Sequence, residues 1–393
     1  MGLLSGFVQS QIAEWASTLT PGSQLSRRSW ANVTYKPKGG SEETDISEDL
    51  MKYLKSIEYT DNIADAVDDL TITLEDKAAL WQASWFPEPG AKLKVVLNTY
   101  NNQNLSEGLK QLDLGEFEVD QIEVDGMPSV VQIKAVVVPN DNTLRGEKQN
   151  QEWKDTTVSV IVNDIAGKNG LTMMWLVQDD PAVDHVEQSD QSDLEFIQKL
   201  CKDNGYNLKV TSEQIIIYDE AQLETGEPKI TFVRPGTPTS MEIYKMNIAG
   251  GSSSSGDDSS RIDSFFSWKM TAKTRDVYKA CHVKYKEKKK DTVIESTFTD
   301  PDKTDGKTLE VNTQVKTQEE ADRLAKKKLR EQNKGEVTCS FTVAGDFIFW
   351  AGEVVKLQDF GHFDGRYIIT KVSHRMGTGY TVDLDMRRCL NGY

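Results

Sequence analysis

The chain's four histidines, His185, His282, His362 and His374, and four cysteines, Cys201, Cys281, Cys339 and Cys389, are the side chains best fitted to metal binding, nucleophilic attack or proton transfer. Their spacing argues against all three. No H-x-x-x-H, H-E-x-x-H or C-x-x-C occurs, so the zinc and redox patterns are missing. Cys281 and His282 are adjacent, but neighbours on a strand point to opposite faces, so the pair reads as a core thiol beside a surface imidazole. There is no G-x-S-x-G elbow and no phosphate-binding G-x-x-x-x-G-K-[ST] loop. Asp61, Asp65, Asp68 and Asp69 could gather around Ca²⁺, yet they lack the glycine and closing glutamate of an EF-hand. Asp68-Asp69, Asp179-Asp180 and Glu319-Glu320 read as solvated faces or helix caps. No catalytic residue, cofactor or metal is predicted.

The densest charge run is Lys284 to Lys290. It ends a strand and enters a turn, with Lys288, Lys289 and Lys290 at the tip. A charged hairpin tip is the plain reading, and docking on an acidic partner is the functional one. Nucleic-acid binding would interleave aromatics over a longer stretch, and only Tyr285 is present.

The elements that must carry these residues are mostly strands. Ile57 to Thr60 and Leu70 to Leu74 alternate apolar and polar, as half-buried antiparallel strands do. Lys94 to Tyr100, Glu116 to Val124 and Val130 to Val138 bring residues 25–140 to about six strands, a small barrel or sandwich. After Pro139 the character changes. Val158, Ile161, Val162 and Ile165 form a helical stripe, and Trp153 just before it is expected to pack on that helix. Ser192-Asp-Leu-Glu195 is a capping box opening a helix that stops at Asn204-Gly205. A hairpin follows over 206–218. Residues 141–240 thus read as an α+β module, and the Gly/Ser-rich run within 241–260 as a linker. Residues 261–393 return to strands, with one capped helix over 318–333 that begins acidic and ends basic. The first 24 residues carry an apolar helical face without basic residues. They read as a docking helix, neither a signal peptide nor a membrane-surface helix.

The bulk numbers narrow the class. The 393 residues carry a net charge of −16, with 46 basic and 62 acidic side chains. Residues 261–393 hold 25 basic and 20 acidic side chains, a net +5, which leaves residues 1–260 at −21. So acidic a body excludes a general nucleic-acid binder. Four scattered thiols suit a reduced cytosolic protein, and no apolar run reaches the roughly 20 residues of a membrane span.

One pattern occurs twice. Gly115-Glu-Phe117-Glu-Val119-Asp-Gln-Ile122 is followed by a turn at Gly126 and the strand from Val130 to Val138. Gly365-Arg-Tyr367-Ile-Ile369-Thr-Lys-Val372 is followed by a turn at Gly377 to Gly379 and the strand from Tyr380 to Met386. Upstream of each lies a Trp and then a Gly opening a short strand: Trp85 with Gly90, and Trp350 with Gly352. The strand faces of these copies, through Phe117, Val119, Tyr367 and Ile369, are candidate interaction positions together with the basic turn at Lys288 to Lys290. Gly90 and Gly115 are 25 residues apart, Gly352 and Gly365 only 13. The first copy therefore carries an insertion that includes Asn98 to Gly108.

Four segments, in order, resemble the phage late control protein D family, the baseplate hubs of contractile tails, which is related to the hub half of type VI secretion spike proteins. They are Ile57 to Ile72 with Trp85 and Gly90; Trp153 to Leu171; Gln188 to Tyr206; and Ser264 to Tyr285. The resemblance covers roughly residues 45–390. It implies a mainly β, α+β fold with two tail-tube-like antiparallel β-barrels, an intervening α+β module and accessory helices. It also implies a homotrimer whose six barrels form a ring between a hexameric tail tube and a trimeric central spike. The tape measure protein and other baseplate proteins would be neighbours. The expected place is assembly in the bacterial cytoplasm and residence in a virion tail or a released phage-tail-like particle. No spike β-helix follows, so a separate spike polypeptide is expected, and an acidic lumen would let DNA slide without specific binding. The competing classes are a carbohydrate-binding or adhesin β-module, which would want a secretion signal, and a tail-associated cell-wall hydrolase, which would want a recognisable nucleophile, metal site or carboxylate pair.

Overall fold

The computed structural model describes residues 27–64, 67–104, 107–137, 144, 148–211, 213–236, 261–286, 293–313, 315 and 317–393. The expected N-terminal helix, the Gly/Ser-rich run and Lys288, Lys289 and Lys290 lie outside them.

The first part of the chain folds into β1 (Arg28–Lys36), β2 (Thr44–Asp45), α1 (Ser47–Tyr53), β3 (Leu54–Asn62), β4 (Asp69–Glu75), β5 (Lys92–Tyr100), β6 (Leu109–Asp125) and β7 (Val130–Val137). In space the strands run β3-β4-β7-β6-β5-β1-β2, and every neighbouring pair is antiparallel. Period-2 alternation sets the faces: Leu70, Ile72 and Leu74 of β4 are buried while Thr71 and Thr73 are only partly so. The insertion foreseen in the first copy is a lengthening of the β5–β6 hairpin, where Val96 to Tyr100 pair with Asp113 to Leu109.

The α+β module follows with β8 (Lys148–Thr157), α2 (Val158–Lys168), β9 (Thr172–Leu176), β10 (Ala182–Ser192), α3 (Asp193–Asn204), β11 (Asn207–Val210), β12 (Gln214–Tyr218) and the short α4 (Glu220–Leu223). Both halves of the Ser192/Glu195 capping box are formed, and Gly205 closes α3 in the left-handed conformation. The stripe Val158, Ile161, Val162 and Ile165 is fully buried against Leu194, Ile197 and Cys201 of α3. Trp153 stacks on Phe196 at 5.3 Å and donates to Asp164 of α2 at 3.1 Å.

The rest of the chain contributes β13 (Ile230–Val233), β14 (Arg261–Ile262), β15 (Ser267–Ala272), β16 (Tyr278–Lys286), β17 (Val293–Thr299), β18 (Lys307–Val311), α5 (Gln318–Asn333), β19 (Val337–Ala344), β20 (Val354–Gln358), β21 (Gly365–Met376) and β22 (Tyr380–Arg388). Strands β17-β16-β18 form a small sheet beneath α5, around Cys281, Val283, Ala321, Ala325 and Leu329. The other strands run β15-β19-β22-β21-β20, with β13 added parallel to β20. Strand β13 lies in the segment read from sequence as part of the α+β module, yet it is hydrogen-bonded into the main sheet.

The molecule is mainly β with packed helices, the class implied by its patterning. The two units are hydrogen-bonded to each other. Among the described strands neither closes on itself, and both belong to one 14-stranded sheet. The reason is strand length. β20 has five residues and β21 twelve, so β20 covers only Gly365 to Ile368. The same edge of β21 beyond that point takes β3 of the first unit, Lys371 to Met376 against Asn62 to Ile57. One hydrophobic cluster then runs through both units, from Ile57, Leu70 and Phe117 to Phe232, Phe341 and Tyr367.

Candidate assembly interface

The four aromatic and β-branched positions singled out by the repeat do not form a surface. Phe117, Val119, Tyr367 and Ile369 are 0 %, 1 %, 0 % and 0 % exposed. The face that carries them points into the shared core; the opposite face holds Glu116 and Glu118 on β6, and Arg366 with the buried Ile368 on β21. Trp85 and Trp350, which precede the copies, are exposed.

What the copies share is finer than their spelling. Leu93 of β5 faces Phe117 and Val95 faces Gly115; Val355 of β20 faces Tyr367 and Leu357 faces Gly365. On the other side Val119 faces Ala135 and Ile369 faces Met386. Each ladder then skips one residue, Asp120 or Thr370, a β-bulge at the same place. Gly90 donates to the carbonyl of Val119 at 2.8 Å, and Gly352 to that of Ile369 at 2.8 Å. Both glycines hold a positive φ, +86° and +92°, which a side chain would resist. Following these ladders outward matches β4 with β19 and β3 with β15. The strand order, numbered along each unit's own sequence, is 1-2-5-4-3 in both.

The two units differ in what is inserted between matched strands. Residues 63–68 join β3 to β4, whereas residues 273–336, with their own small sheet and α5, join β15 to β19. The lengthened β5–β6 hairpin reaches the second unit of its own chain. Asn102 and Gln103 both donate to the carbonyl of Gly345, Gln103 at 2.8 Å.

The joint between the units is built on polar groups held in place by packing. Arg375 of β21 grips Glu58 of β3 at 2.8 Å. His374 stacks on Tyr59 at 6.1 Å, and its Nδ1 lies 2.8 Å from the hydroxyl of Tyr380. Burial pushes His374 down to about 4, against the opposing pull of Asp61, so the ring is neutral near pH 7. Asp61 accepts from the amide of Ala351 at 2.8 Å and from the ammonium of Lys209 on β11. Lys209 also meets Asp68 at 3.3 Å. Of the four aspartates weighed as a calcium site, Asp61 and Asp68 thus share Lys209 as their cation, and Asp65 lies outside the described residues. Burial raises the Asp68 carboxyl, an effect that the nearby Lys209 charge partly offsets.

A second buried network docks the α+β module on the second unit. Glu224, directly after α4, contacts Arg330 of α5 at 2.5 Å and Arg387 of β22, and accepts from the amide of Leu390 at 2.7 Å. Arg387 also meets Glu220 at 2.7 Å. Burial opposes ionisation of Glu220, but Arg387 and the other nearby cations outweigh it and hold the carboxyl low. Sequence reading missed both networks, since single charges 100 or more residues apart carry no local signal.

Three of the four histidine side chains have structural partners. His185 lies 2.8 Å from Glu152, His282 is 2.8 Å from Glu310, and His374 is in the joint. Cys281 is buried, and burial raises its thiol to about 11, as expected for a core cysteine. No described helix is long and apolar enough to cross a membrane.

Among the described strands, β15 and the end of β6 leave edges of the sheet open, as do β2 and β14 at its ends. Among the described residues β15 pairs only with β19, and β6 beyond Val119 pairs only with β7. Apolar side chains gather there: Phe266 and Trp268 by one edge, Val124 and Met127 by the other.

Comparison with known proteins converges on one group. The model of the family described as phage tail baseplate hub (GPD) matches residues 117–380. The probable baseplate hub proteins of Escherichia phages 186 and P2 are 29% and 30% identical over 197 residues, which is 48% of this chain and 47% and 48% of theirs. The chain thus spans about half the length of the curated relatives it matches. The 43 kDa tail protein of prophage MuSo2 from Shewanella oneidensis has the same fold, with a TM-score of 0.62 at 13% identity, covering 91% of this chain and 98% of that one.

Proposed function

The chain belongs to the phage tail baseplate hub family, and from that premise we propose that it is a structural hub: a homotrimeric ring joining a hexameric tail tube to a trimeric central spike. The observation that carries this reading is the duplication. One chain holds two units of the same strand order, the same register and the same bulge, fused edge to edge by β3 and β21. A closed ring of three such chains would present six equivalent units to a sixfold partner and keep threefold symmetry for a spike. The insertions that distinguish the units would then alternate around the ring. The tape measure protein and other baseplate proteins are the remaining proposed neighbours. The ring would form in the bacterial cytoplasm and end in the tail of a virion or a released tail-like particle.

The test is mass in solution by analytical ultracentrifugation, alone and with the tube and spike proteins, with negative-stain imaging of the product. A trimer with six lobes is expected. A chain that stays monomeric with both partners present refutes the ring. Incubation with purified peptidoglycan should release no soluble fragments, and their release would restore the hydrolase reading.

A further inference from the structure

The open edges of β15 and β6 are the same two edges that meet inside the chain. By the matched ladders, β15 of the second unit stands where β3 stands in the first, and the end of β6 stands where the end of β21 stands in the second. Within the chain, β21 takes β3. Among the described residues each chain therefore has one such joint made and the two halves of another unmade.

We propose that the unmade halves join between copies of this chain, β6 of one against β15 of the next, in the register of the internal joint. Transferring that register residue by residue places Lys269 opposite Asp125, where Glu58 faces Arg375 internally. It places Met270 opposite Val124, in the positions of Tyr59 and His374. Thr271 then faces Glu123, and Ala272 faces Ile122. This deepens the hub reading and rests on it, by naming the contact that closes the ring.

Two independent observations support the transfer. The first is charge. The internal Glu58–Arg375 pair is replaced by Lys269 and Asp125, opposite charges with the signs exchanged between strands. Like charges directly opposite would repel. The second is burial. Ile57 and its partner strand's His374 are 1 % and 0 % exposed at the internal joint, while their counterparts Trp268 and Val124 are 45 % and 46 % exposed. The same positions are covered where the joint is made and bare where it is not. Unpaired strand edges carrying exposed apolar side chains are templates for pairing with another chain. Because β6 and β15 are different edges, the contact is head-to-tail and generates a ring when its rotation closes.

The test is charge reversal in the full chain, read as oligomer mass against concentration. Asp125→Lys and Lys269→Glu each place like charges opposite one another. Each should weaken association by about tenfold or more, with thermal unfolding of the monomer unchanged, since both side chains are exposed. The double variant Asp125→Lys/Lys269→Glu should return to within about threefold of the original. A ring that forms equally well in both single variants, or a double variant no better than the worse single, overturns the register and leaves the hub reading standing. A wild-type chain that remains monomeric across the whole range, with tube and spike proteins added, overturns both.

Discussion

Replacing Glu224 with alanine should be among the most costly single changes outside the apolar core. The carboxylate is 3 % exposed and meets two guanidinium groups and one backbone amide. Its removal leaves Arg330 and Arg387 buried with Glu220 alone to balance them, and leaves the Leu390 amide without its acceptor. Breaking one partner out of a buried ionic network costs about 3–5 kcal/mol, most of it the penalty of the stranded charge. At a urea m-value of about 3 kcal/mol/M, the midpoint should fall by roughly 1–1.7 M. Glu224 joins α4 to β22 and α5, so the loss should begin there. Hydrogen exchange should speed up first at residues 218–233 and along β22, before the rest of the main sheet responds. Glu224→Gln keeps the shape without the charge and should fall between. Adding Arg387→Met to Glu224→Met should recover part of the loss, because a packed apolar pair avoids the desolvation cost. A Glu224→Ala protein within about 1 kcal/mol of wild type, or exchange that accelerates uniformly, refutes the reasoning.

Other perturbations test other links. His374 is held neutral by burial at about 4, below its ordinary 6.5; the unfolded chain takes up a proton that the native joint refuses, so its contribution to stability is lost as pH falls from about 6.5 towards 4. Unfolding temperature should drop over that window, and His374→Gln should flatten the drop; an unchanged slope would remove His374 as its source. Gly377→Ala would bring a Cβ to 2.5 Å from the backbone carbonyl of Lys55, at the head of β3. It should destabilise the joint between the units, seen as faster exchange in β3 and at the β21–β22 turn, and unaltered exchange would refute the contact. Phe117→Ala and Tyr367→Ala open equivalent cavities and should each cost about 3–5 kcal/mol by urea titration, with Tyr367 losing in addition its 2.8 Å bond to the Phe363 carbonyl; a near-neutral result at either would break the equivalence of the copies.

Much of the local structure was legible because its causes are local. The Ser192/Glu195 and Thr317 caps, the stripe of α2 and the alternation in β4 and β7 each need only a few neighbouring residues to specify them. The elements that escaped show too little apolar patterning. β1 buries only Ala31 and Val33, and the β8–β10 ribbon is largely polar, with Trp153 its main apolar anchor. The parallel pairing of β9 with β12 spans some 40 residues and leaves no local mark.

The duplication stands on the same divide. Sequence alone revealed that a Gly–aromatic–β-branched motif occurs twice and that the first copy is longer, since both are statements about order along the chain. It pointed to the face of Phe117, Val119, Tyr367 and Ile369 as a surface, and tertiary structure turned that face inward, because each face of a strand can be assigned to core or solvent only when its partners are known. Only the folded chain decided that β3 fills the edge of β21 and that β6 and β15 are left with theirs open. Those edges depend on relative strand lengths and long-range register, and neither is written in any short stretch of residues.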